Sequence, residues 1–136
     1  MTSTTLHTAG LVLVTVPTIE AGGVALLTHL TRRSPGYADN PVRRGLWRAG
    51  HAHAGVLVIL ALVGLLYVDA ADLSDTARSV ARAALVLPPI LMPLGFFLSV
   101  AEPAATRPNR LILLVYAGAA SLGVAVITLG VGLLRA

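Results

Sequence analysis

Cysteine is absent from the 136 residues, which excludes disulfides, thiolate-held clusters and cysteine nucleophiles. Lysine is absent too, so all ten basic residues are arginine. Charged residues make up only 12% of the chain and hydrophobic ones 56%, with a mean hydropathy of +0.83. That balance is too apolar for an ordinary soluble domain and indicates the membrane class. No basic tract is interleaved with aromatics, so a pI near 10.7 reads as headgroup and orientation charge, with no nucleic-acid partner. No Lys or Arg precedes the first apolar run, as a cleaved secretory signal would require, so that run reads as a retained helix. There is no P-loop, glycine-rich nucleotide loop or serine–histidine–acid arrangement to support hydrolase or nucleotide chemistry.

Four runs remain that are long enough to cross a bilayer, which takes about 20 predominantly apolar residues. They are Ala9–Leu30, Gly50–Val68, Ser79–Ala101 and Leu111–Leu134. Strand-like alternation is lacking, so the expected fold is all-α. It is a single domain spanning 1–136, an integral membrane bundle of four antiparallel helices. Arg32, Arg33, Arg43, Arg44 and Arg48 fall in the first loop, and Arg107 and Arg110 in the third. Arg78, Arg82 and Arg135 lie on the other side, among Asp69, Asp72 and Asp75. The positive-inside rule then puts loops one and three in the cytoplasm of a bacterial-type inner or plasma membrane.

Local signals refine this outline. Ser74 followed by Asp75 reads as an N-cap with a first-turn carboxylate opening the third helix. Pro88, Pro89 and Pro93 remove backbone donors from that helix and predict a bend near mid-membrane. In the fourth helix Ala117, Ser121 and Ala125 recur at four-residue spacing beside Gly118, Ala119 and Gly123, which permits close helix approach. Four helices of this size enclose little volume, so an oligomer with shared sites is expected.

The densest chemistry is the stretch Trp47-Arg48-Ala49-Gly50-His51-Ala52-His53-Ala54-Gly55. With the sidedness above, His29, His51, His53, Phe96, Phe97 and Tyr116 fall in one layer beneath the arginines. His51 and His53 are about 200° apart around a helix, so they cannot bind one metal from the same face. Glu20 lies near the middle of the first helix, where a carboxyl is expensive and faces a cavity or a partner. It reads either as a proton donor, acceptor or substrate contact, or as a protonated carboxyl bonded to Thr15, Thr18 or another helix's backbone. Met92 reads as core filling, Trp47 and Tyr67 as interfacial anchors, and His7 as solvated. Three chemistries fit. One is a haem with a histidine axial ligand, Phe96 and Phe97 as walls, and Arg48 or the Arg43–Arg44 pair at the propionates. Another is a copper or zinc site from His29, His51 and His53. The last is a metal-free structural subunit.

Trp47-Arg48-Ala49-Gly50-His51, or Ala52-His53-Ala54-Gly55 as an Ala-His-x-Gly pattern, resembles the styrene oxide isomerase family, as does Asp75-Thr76-Ala77-Arg78. The resemblance implies a membrane homotrimer holding haem b between protomers, with His53 or His51 on the iron. It also implies ferric haem acting as a Lewis acid that isomerises a small hydrophobic epoxide to a carbonyl compound. The chain departs from the family where Leu57 or Ile59 stands for an asparagine, Phe96 for a tyrosine and Pro88 for an aspartate. Tyr116 and Glu20 are the candidate catalytic substitutes. A haem protein of redox, sensing or haem-handling type is the alternative.

Overall fold

Proline and small residues decide where each helix starts, bends and meets its neighbour. The computed structural model describes residues Met1–Ala136. It is all-helical, without strands, and four of its segments are long and apolar enough to cross a membrane: Ser3–Thr31, Pro41–Val68, Asp75–Leu98 and Arg110–Arg135. Two of the four are broken. The first consists of α1 (Ser3–Val14) and α2 (Val16–Thr31), separated at Thr15 just ahead of Pro17. The third consists of α4 (Asp75–Val86) and α5 (Pro88–Leu98), with Pro93 inside α5. The second segment, α3 (Pro41–Val68), is continuous, and α6 (Leu113–Arg135) follows one 3₁₀ turn, Arg110–Ile112.

Helix α3 starts nine residues before the predicted Gly50. Asn40 accepts the Arg43 N–H at 3.0 Å as N-cap and Pro41 takes the first turn, where its missing N–H costs nothing. The Ser74 N-cap and first-turn Asp75 are as predicted, with the Ala77 N–H donating to Ser74 Oγ at 3.2 Å. At the bend, Pro88 has no N–H to offer the Ala84 carbonyl one turn back. Ser121 of α6 donates its hydroxyl to that carbonyl at 3.2 Å, so the neighbouring span satisfies what the proline leaves open.

Close approach depends on glycine. A Cβ on Gly95 of α5 would lie 2.8 Å from the Val115 backbone nitrogen, and one on Gly118 of α6 would lie 2.5 Å from Met92 Cγ. Met92 is accordingly core filling. The inward stripe of α6 is Gly118, Ser121, Ala125, Leu129 and Gly132. Ala117 and Ala119, expected to share it, face outward.

The core gathers around the second half of α3, where Val58, Ala61, Leu65 and Val68 meet Leu85 and Ala125. Only 25 of 136 residues are buried, while Val14, Val56 and Ile127 expose 76%, 65% and 68%. Apolar side chains therefore cover the outside as well as the core, as a bilayer-facing surface requires. The first span is the least enclosed. Helix α2 touches only α1 and α3, and neither α1 nor α2 reaches α5 or α6.

Candidate functional site

The site is built from the first four turns of α3. Arg43 donates to the Gly36 carbonyl at 3.1 Å and the Ala101 carbonyl at 2.9 Å, while its guanidinium lies 4.0 Å from the Trp47 ring centroid. Asn40 donates to the carbonyls of Pro103 and Ala105 at 3.0 and 2.9 Å. First and third loops are thus sewn to the start of α3. Arg44 donates to the Ala38 carbonyl at 2.6 Å. Both members of the arginine pair expected at propionates are committed to backbone carbonyls instead.

Trp47 donates its indole N–H to the Phe97 carbonyl at 3.2 Å. It packs at 5.9 Å centroid distance against His29, Tyr37 and Phe97. Besides the interfacial place its sequence position suggests, it pins α3 to α5. Tyr37, 2% exposed, is a residue the sequence reading missed. His29 sits in this cluster, 5.6 Å from Tyr37, with Nδ1 buried and unpartnered.

Gly50 separates two flanks of α3. A Cβ there would be 3.0 Å from Phe96 Cβ and 3.1 Å from the Phe97 ring, so the two phenylalanines straddle α3 at its barest point. On one flank His53 stacks against Phe96 at 5.0 Å, and its Nδ1 lies 2.7 Å from the Ala49 carbonyl. That contact puts the ring proton on Nδ1 and leaves Nε2, unpartnered and accessible, as a lone-pair donor. On the other flank His51 lies against α2. A Cβ on Gly23 would be 3.0 Å from both Cε1 and Nε2 of His51, and one on Gly22 would be 3.8 Å from Nδ1. The Gly22–Gly23 pair is the cradle of this imidazole, and it too was missed; adjacent glycines inside an apolar helix were the available signal.

His51 forms part of the wall of a cleft of about 540 Å³ between the first span, α3 and α5. Both bends open onto it, through Thr15 and Thr18 on one side and Pro89 and Pro93 on the other. Because α1 and α2 make no contact with α5, the cleft is open laterally. A shallower hollow on the other side of His51 contains Arg48, Tyr37 and Ala52.

The predicted layer is thereby split. Phe96 goes with His53, while Phe97 and Arg48 go with His51. Glu20 is exposed on α2, and Tyr116 is 66% exposed on α6. Their helices do not touch, so one chain does not bring these two candidate catalytic groups together. The copper or zinc site expected from His29, His51 and His53 is not formed: no group of three or more metal-binding side chains converges. His29 is turned into the Tyr37–Trp47 cluster, and His51 and His53 are on opposite flanks of α3.

Comparison with known protein families, curated proteins and solved structures gives no match to this chain.

Proposed function

We propose that this chain is an integral membrane protein that binds haem b through His53 and acts, as a homotrimer, on a small hydrophobic epoxide. The observation that carries the reading is the Nδ1 contact of His53 with the Ala49 carbonyl at 2.7 Å. A metal-ligating histidine holds its second ring nitrogen on a carbonyl or carboxylate, which sets the tautomer and the ring orientation. His51 is the poorer fit, because its Nε2 abuts Gly23 and no porphyrin passes between them. Bound there, the haem would supply a Lewis-acidic iron for an epoxide oxygen. His53 would hold it, and Phe96 would wall one side with an apolar ring.

The oligomer is part of the proposal. His53 Nε2, Glu20 and Tyr116 all open to the outside of one protomer. A site shared between copies is the arrangement in which they meet, and it removes a lone carboxyl from lipid. In this reading the four spans run antiparallel and the loops bearing Arg32, Arg33 and Arg107 face the cytoplasm.

A second reading is favoured by the apolar surroundings of His53. Ile59 is exposed and Leu57 buried, so neither supplies a polar group to position an epoxide. A haem protein of redox, sensing or haem-handling type requires none.

The visible spectrum of detergent-purified protein, oxidised and dithionite-reduced, tests the haem. A Soret band lost in His53→Ala and kept in His51→Ala is expected. Protein made with ample haem that shows no Soret band overturns the proposal, as does His53→Ala that keeps it. An epoxide-to-aldehyde assay then separates the two readings.

A further inference from the structure

The cleft beside His51 is on the other flank of α3 from His53, and its chemistry is different. It runs along the first span from Thr8 to Gly22, about 21 Å at 1.5 Å per residue. About 540 Å³ drawn out along that length is an elongated groove, a shape that suits an extended chain and not a compact molecule. No arginine, aspartate or glutamate lines it. The threonine protons along it are already spent: Thr8 donates to the Thr4 carbonyl, Thr15 to Val12 and Thr18 to Thr15. The threonine oxygens can still accept, but His51 is the one lining side chain that can still offer a hydrogen-bond donor, since unlike His53 it has no partner in the protein. A neutral imidazole offers one donor and one acceptor there.

We infer that this cleft binds a single-chain, uncharged amphiphile drawn from the bilayer, its tail along α1 and α2 and its oxygen-bearing head on His51. The Gly23–His51 contact closes that end of the groove, so the head is a hydroxyl, aldehyde or ketone and not a phosphate. Absence of charge in the lining disfavours a carboxylate, whose desolvation nothing there would offset. The open flank between α2 and α5 admits such a molecule sideways without unfolding either helix. The inference is independent of haem.

The chain carries its own reporter. Trp47 is the only tryptophan, and its ring packs at 5.9 Å on Phe97, which lines the His51 end of the cleft. Full-length protein in phosphatidylcholine nanodiscs is titrated with 2-bromododecan-1-ol, and with 2-bromododecane as the headless control. Saturable quenching of Trp47 by the alcohol is expected. His51→Ala should weaken the alcohol about five-fold, the worth of one hydrogen bond, and leave the bromoalkane unchanged. Ala54→Leu on the floor and Ile90→Phe on the half-exposed rim should abolish saturation by both, the rim variant keeping the test intact should the floor variant not fold. Quenching that rises without saturation and is equal in every variant overturns the inference, and so does an alcohol affinity indifferent to His51. Quenching by phosphatidylcholine brominated near its glycerol, unrelieved by dodecanol, overturns it in favour of a resident bilayer lipid.

Discussion

The imidazole of His51 rests on the bare backbone of Gly23, with room for no Cβ beyond 3.0 Å from its Cε1 and Nε2. A Gly23→Ala substitution gains helix propensity of up to about 1 kcal/mol, yet overpacking at such a contact costs about 1–3 kcal/mol. A net loss of about 1 kcal/mol is expected. Adding His51→Ala should return most of it, giving a coupling of the order of 1 kcal/mol in a double-mutant cycle read by thermal unfolding in detergent. Additive effects would show that the ring does not sit on α2.

Gly95 faces backbone, not a movable side-chain tip: its Cβ would meet the Val115 nitrogen at 2.8 Å. Gly95→Ala is expected to destabilise by about 1–3 kcal/mol through separation of α5 from α6. An unchanged unfolding midpoint would contradict the packing described for these two helices.

Asn40→Ala removes a helix cap and both bonds to the third loop. The expected loss is about 2 kcal/mol, roughly half from the cap. Limited proteolysis should show the 101–108 segment cut faster, a readout that loss of the cap alone would not move.

Asp69 closes α3 and accepts from the Thr2 backbone N–H and the Thr5 hydroxyl, at 2.5 and 3.0 Å, with Arg82 at 3.7 Å. Burial raises its pKa, but the hydrogen bonds from Thr2 and Thr5 outweigh burial, and the net shift is downward. A carboxylate depressed in the folded state adds stability above its unfolded value, near pH 4, and loses it as pH falls through the folded value. The thermal midpoint should therefore drop as pH is lowered below about 4, and Asp69→Asn should flatten that part of the profile. A profile identical in the variant would remove Asp69 from the account.

Glu20→Gln should leave stability within about 0.5 kcal/mol of the parent, because the side chain is exposed. Under the proposed function it should slow epoxide turnover while haem content is unchanged. Turnover equal to the parent would exclude Glu20 from catalysis.

Much of the architecture was readable in advance for one physical reason: long apolar runs dominate their own local environment. The four spans, the Ser74–Asp75 start of α4 and the proline bend all follow from composition or from one residue's backbone chemistry. The beginning of α3 did not, because Pro41–Ala49 is polar and a hydropathy window passes over it. Asn40-Pro41, a cap followed by proline, was the signal there. Pro17 likewise marked the break at Thr15. The site was harder. Which flank His51 and His53 take is set by Gly22, Gly23 and Gly50, residues whose role is to be absent from a space. Tyr37 and Arg43 acquire theirs only once two loops distant in sequence are brought together.

The two rims of the molecule are fastened in different ways, one by Asn40 and Arg43 across the loops, the other by Asp69 on Thr2 and Thr5. With the chain in the bilayer as proposed above, the gap between α2 and α5 faces hydrocarbon, and the inferred ligand enters there. The concentration it samples is then the membrane concentration, set by oil–water partitioning. Each methylene on a candidate ligand, worth about 0.8 kcal/mol on transfer, raises that concentration about four-fold. A homologous series of alcohols would thus be ranked chiefly by the bilayer, and His51 would discriminate only among heads.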